Sequence, residues 1–120
     1  MRYWICGVLL VLATSAQGQS FTPIVSSNGH VWSVAPETAK QSRNKLKLWT
    51  ETRFPEADRL GTTSVRDLLS VDCDMMTHQS LRRMFYNKDL LVGATGIQKR
   101  EHAGGGTPGY AFLSEICRIF

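Results

Sequence analysis

Cys73 and Cys117 constrain this chain more than any other pair of residues. A third cysteine, Cys6, sits in an opening stretch that reads as an export signal. Met1-Arg2-Tyr3 is a short positive start, Trp4 to Ala13 is an apolar run, and Thr14-Ser15-Ala16-Gln17-Gly18 is a small-residue exit. These are the three parts of a secretory signal. The apolar run is shorter than the roughly 20 residues needed to span a bilayer. Cleavage is expected after Gly18, with Ala16 as the alternative. The mature chain then holds two cysteines in an oxidising compartment, and two cysteines have one pairing.

Removing 18 of the 120 residues leaves a mature chain of 102. A domain of that size buries only about 60–68% of its unfolded surface, so a covalent staple matters. Closing the loop from Cys73 to Cys117 removes chain entropy equivalent to about 4 kcal/mol. That approaches the whole stability of a small domain. Cys6 lies near the start of the apolar run instead of ending it at the cleavage site, so no lipid anchor is expected, and no second apolar run supplies a transmembrane one. The expected organisation is a signal peptide over 1–18, a flexible leader over 19–29, and a single domain over 30–120. The polar stretch from Ser20 to Gly29 also fits an edge segment.

Within the domain, His30-Val31-Trp32-Ser33-Val34 reads as a short strand, followed at Pro36 by a turn or one helical turn. Ser42-Arg43-Asn44 closes a reversal. Lys45 to Phe54 alternates strictly: Leu46, Leu48, Thr50, Thr52 and Phe54 fall on one face, with Lys45, Lys47, Trp49, Glu51 and Arg53 on the other. Period two is the mark of a half-buried strand. Thr62 to Cys73 alternates again, and Asp67 interrupts its apolar face, which suggests a bulge or a strand end there. Met76 to Tyr86 fits a helix or a strand equally. Asn87-Lys88-Asp89 is a hairpin turn, Leu90 to Lys99 the returning strand, and Glu101 to Thr107 a mobile glycine-rich loop. Thr107 and Pro108 then open a helix whose apolar face is Phe112, Leu113, Ile116, Cys117 and Phe120. A terminal strand is the alternative, since Ile116, Arg118 and Phe120 also alternate. Several strands and one terminal helix give an α+β class, with the helix packed on one face of an antiparallel sheet.

The order and spacing of several short motifs resemble the surface-adhesin protein E-like family of Gram-negative bacteria. Val34-Ala35-Pro36-Glu37-Thr38 is similar to that family's "IDPSSI" element, and Asn44-Lys45-Leu46-Lys47-Leu48-Trp49 to its "GNxVxVW" strand. Ser64 through Asp72-Cys73 resembles its segment ending in an acidic residue and Cys. Arg82 or Arg83 and then Tyr86 follow as in its next strand. Pro108-Gly109 and Ile116-Cys117 resemble its "PGS…VC" ending. Ala35 stands where the family has Asp, Tyr110 where it has a third Ser, and the name-giving adhesin carries a lipid anchor that has no counterpart here. The resemblance implies a curved antiparallel sheet with the terminal helix tied to its concave side by a disulfide. It also favours a strand for Met76 to Tyr86.

The chemistry-bearing residues are sparse. His30, His78 and His102 are scattered, and only His78 lies near Cys73 and Asp74. A disulfide sulfur is a poor zinc ligand and no nucleophile, so neither metal nor Cys-His catalysis is expected. Asp72 and Asp74 flank Cys73 without a cleft to work across, and Gly104-Gly105-Gly106 lacks the context of a phosphate loop. No cofactor is expected. The mature charge is +3, the full chain's +4 less Arg2. Lys45, Lys47 and Arg53 share a face with Trp49, and Arg82, Arg83 and Lys88 form a second cluster. A cation-aromatic surface suits acidic proteins or sulfated glycans, although Glu51 dilutes it. Nucleic acid is not expected for an exported chain of modest charge. The expectation is a non-enzymatic binding module, in the periplasm, secreted or at the cell surface. It would contact host matrix or envelope proteins through Trp49, Arg82, Arg83 and Lys88, and a homodimer is compatible with it. The alternative is a periplasmic inhibitor or envelope accessory protein without adhesive role.

Overall fold

A computed structural model describes residues 20–120. The expected signal peptide and Cys6 lie outside the described residues. Eight strands form one antiparallel sheet, curled as a half-barrel, with one C-terminal helix. The strands are β1 (Thr22–Ser27), β2 (His30–Val34), β3 (Lys40–Ser42), β4 (Lys45–Arg53), β5 (Ser64–Asp72), β6 (Thr77–Asn87), β7 (Leu90–Thr95) and β8 (Glu101–His102); the helix α1 is Pro108–Ile119. The sheet order is β1-β2-β4-β5-β6-β7, with β3 also on β4 and β8 also on β6. Chain order and sheet order therefore agree, and β3 and β8 extend the positions occupied by β2 and β7.

Where β2 gives way to β3, a single 3-10 turn at Pro36–Thr38 interrupts the ladder. The backbone of Trp49 on β4 would lose its partners there. Instead, Ala35 N–H donates to Trp49 C=O at 2.9 Å, and Trp49 N–H donates to the Thr38 hydroxyl at 2.9 Å. That hydroxyl in turn donates to Ala35 C=O at 2.7 Å. One threonine side chain thus repairs the gap, as buried backbone polar groups require.

The stretch expected as a leader is an edge strand. β1 pairs with β2 through the two-residue turn Asn28-Gly29, with Ser27 opposite His30. Both turn residues have positive φ, 53° and 82°, as the favoured hairpin turn demands. Gly29 is further fixed because a Cβ would come within 2.8 Å of Pro55 Cβ. The segment Met76 to Tyr86 falls almost wholly within strand β6. The returning strand stops at Thr95, short of Lys99, and the glycine-rich loop is preceded by β8, where Glu101 faces His78 and His102 faces Thr77.

Residues directly opposite across a ladder share a face. One face, here the inner one, carries Val34, Leu46, Leu48, Leu69 and Val71, which pack with Phe112, Leu113 and Ile116 of α1 as the core. The helix begins where Thr107 Oγ1 accepts the Tyr110 N–H at 3.2 Å, with Pro108 in its first turn. Cys117 on α1 is bonded to Cys73, just past the end of β5, with Cα atoms 5.7 Å apart. The bond clamps helix to sheet.

Replacing Thr38 by Val is expected to lower stability by about 1–3 kcal/mol, because it orphans the Trp49 N–H. Thr38→Ser should retain most of it. Urea unfolding midpoints of the two variants check this; equal midpoints would remove the bridging role.

Candidate functional site

The second, outer face of the sheet has no helix on it. Its cross-strand rows are Lys45-Asp72-Thr77, Lys47-Ser70-Gln79, Trp49-Leu68-Arg82, Ser33-Glu51-Arg66-Met84 and Val31-Arg53-Ser64-Tyr86. Polar and charged groups that occupy a sheet face must find partners or water. This face solves the problem differently at its two ends.

At one end the carboxylate of Glu51, only 4% exposed, is held by two guanidinium groups. Arg66 Nε donates to Oε2 at 3.1 Å and Arg53 Nη2 to Oε1 at 3.3 Å. Arg66 lies with its guanidinium carbon 4.6 Å from the Tyr86 ring centroid and 5.0 Å from that of Phe21. Two adjoining cavities flank this cluster, of about 280 and 430 Å³. Lys88 and Asp89, from the β6–β7 turn, line the smaller; Phe21, Pro23 and Val31 line the larger.

At the other end the Asp72 carboxylate is consumed locally. Its Oδ1 accepts the N–H groups of Asp74 and Met75 at 3.1 Å each, fixing the β5–β6 turn. Asn44 reaches Oδ2 at 3.4 Å, and Lys45 Nζ stands 3.9 Å away. Arg100 folds back over the same end and donates to Ser70 Oγ at 2.7 Å, Thr77 Oγ1 at 3.0 Å and Gln79 Oε1 at 3.5 Å.

Of the four residues expected to make a contact surface, two come together: Trp49 and Arg82 share the central outer row, flanking Leu68. Lys88 is at the turn end, beside Arg53 and Arg66. Arg83 points to the inner face, where its Nε donates to Asp67 Oδ1 at 2.7 Å. Ser80 Oγ donates to the same oxygen at 2.7 Å. Ser80 and Arg83 are three apart and would alternate to opposite faces of a regular strand. A bulge reconciles them: the β5–β6 register shifts between Leu68 and Leu69, leaving Leu81 as the extra residue on β6. Such bulges re-aim side chains. The irregularity suggested at Asp67 therefore lies one residue on, and in pairing with β6; the β4–β5 ladder runs through Asp67 unbroken.

The Glu51–Arg66 pair and the Tyr86 ring beside it did not stand out in the sequence. The available signal was the alternation of Glu51 with Arg53 on one strand face, but only the β4–β5 register brings Arg66 opposite Glu51. Cys73 is disulfide-bonded, so it offers no thiolate alongside Asp74 and His78, and no metal-ligating cluster occurs among the described residues. No helix among the described residues is long and apolar enough to cross a membrane. No family model matches this chain, and no curated protein matches it.

Two outcomes are expected. Glu51→Ala should cost about 3 kcal/mol, because it removes the buried carboxylate that Arg66 and Arg53 share. Unfolding midpoints would show it, and a loss no larger than that of an exposed surface substitution would contradict the pairing. The second concerns His78, whose imidazole sits on the inner face below its ordinary value of 6.5. Burial is the main cause; Glu101 and Asp67 pull it up, and Arg100 and Arg83 push it further down. The unfolded chain therefore binds this proton first, so the stability it contributes is complete above 6.5 and falls as pH drops towards the lower folded value. His78→Gln should flatten the stability profile below that pH; an unchanged slope would rule His78 out as the source.

Proposed function

We propose that this chain is an exported, non-enzymatic binding module that engages a protein partner through the outer face of its sheet. The observation that carries the reading is the division of labour between the two faces. Helix α1 covers one, while the other presents the half-buried indole of Trp49 in a row with the exposed Arg82. Tryptophan and arginine, here in one row with Leu68 between them, are among the residue types most enriched at binding hot spots. The motif order shared with surface-adhesin protein E-like proteins supports the same reading and suggests matrix or envelope proteins as partners. The disulfide fits an oxidising compartment, the periplasm or beyond.

The contact centres on Trp49 and Arg82, with Lys88 at the turn end as an outlying cation. Arg83 acts through the fold, by its pair with Asp67. The test is capture of the purified mature chain on immobilised matrix glycoproteins. Trp49→Ala combined with Arg82→Gln should weaken capture by roughly tenfold or more if these are hot-spot residues. Arg83→Gln should act through thermal stability. Undiminished capture by the Trp49/Arg82 variant would end the assignment of this face.

A further inference from the structure

The end of the outer face built by β3 and β4 gathers positive charge that, among the described residues, is met by one long ion pair. Lys40 and Lys47 are direct cross-strand partners, and Ser42 faces Lys45. Like charges placed opposite one another on a ladder destabilise it. Arg43, in the turn between the two strands, holds a left-handed φ of 57°. Together with Asn44 and Ser70, the side chains of Arg43, Lys45 and Lys47 line a cavity of about 280 Å³. Ser70 is also the closest acceptor for Arg100, so a fifth cation is pinned at the edge of this cavity, held by neutral oxygens only.

Elsewhere four arginines are answered, while Arg59 and Arg82 have no ion pair among the described residues. Arg53 and Arg66 have Glu51, Arg83 has Asp67, and Arg118 has Glu115. At the β3–β4 end the only ion pair among the described residues is Lys45 with Asp72, at the long distance of 3.9 Å. The Asp72 oxygens are already taken by the β5–β6 turn and Asn44. None of Glu37, Asp74 and Glu101 pairs with these cations among the described residues. Glu51, which by alternation falls on the same strand face as these lysines, is committed to the opposite end. Its carboxylate leaves the lysine end undiluted.

We infer that Lys40, Arg43, Lys45 and Lys47, backed by Arg100, form a binding site for the sulfate groups of a sulfated glycan. Trp49 follows Lys47 by two residues on the same strand face, about 7 Å further along at the rise of an extended strand. An exposed part of an indole at that distance is a platform for a sugar ring while the lysines take the sulfates. Export favours a glycan over nucleic acid as the polyanion. The cross-strand Lys40–Lys47 repulsion is then a cost in the free protein that the ligand relieves. This deepens the binding-module reading and rests on it for the use of the same outer face.

Salt-dependent binding of the mature chain to heparin tests the site, with fully desulfated heparin and a DNA duplex as comparison probes. The wild type should bind heparin, release it as salt rises, and bind desulfated heparin and DNA much more weakly. The variant K40Q/R43Q/K47Q should bind heparin roughly tenfold more weakly or worse, as the loss of three screened charge contacts implies. R59Q/R118Q, which removes charge elsewhere, should bind as the wild type does. A thermal melt guards against misfolding, and K47Q alone should melt no lower than the wild type, since it relieves repulsion. Equal weakening by both multiple variants, or equal affinity for DNA, would overturn the proposal. So would matrix-glycoprotein capture that survives enzymatic removal of sulfated chains, and that result would leave the binding-module reading standing.

Discussion

One short helix can cover only one face of a sheet, and the rest of this molecule follows from that limit. The inner face is apolar where α1 lies and is closed by Phe112, Leu113 and Ile116. The outer face has no second layer to bury it, so its strands carry charged and polar residues at the alternate positions. Each of those groups then has to be satisfied within the sheet or left to water. Glu51 and Asp72 are both buried by the standards of a surface, at 4% and 6% exposure, and both survive because guanidinium or backbone donors surround them. A small domain can keep ionised groups at such depth only when their partners are in place.

The same constraint explains which parts of the fold were legible beforehand. β4 could be read from alternation alone, because one of its faces is buried and the other is not. The terminal helix announced itself through Thr107, Pro108 and an apolar stripe. The disulfide followed from the expected export signal, whose removal would leave two cysteines. β1 was harder, because its outward residues, Pro23 and Ser26, look like part of a leader. Its hairpin signal was local and present: Asn28-Gly29 flanked by Val25 on one side and Val31 on the other. β6 was ambiguous because its pattern changes parity at Leu81, so no single period fits it from end to end.

The candidate site was legible by residue type but not by placement. Trp49 and Arg82 belong to one row, yet nothing in the sequence separates Arg82 from Arg83. The separation is made by the bulge, and the bulge is placed where Asp67 can receive both Ser80 and Arg83. A buried carboxylate on one face thereby decides which of two adjacent arginines reaches the other. In the same way Glu51 could be counted as diluting the basic face, whereas its pairing with Arg53 and Arg66 divides that face into a neutralised end and a cationic one.

The clamp between Cys73 and Cys117 also determines how the domain would carry mechanical load. Tension entering at the C-terminus travels through the last residues of α1 to Cys117, and from there across the covalent bond to Cys73 at the end of β5. The 44-residue interval between the two cysteines is bypassed. β6, β7 and β8, and Arg82 with them, hang on the loaded path without bearing the pull. Three of the eight strands are left unstrained by this route.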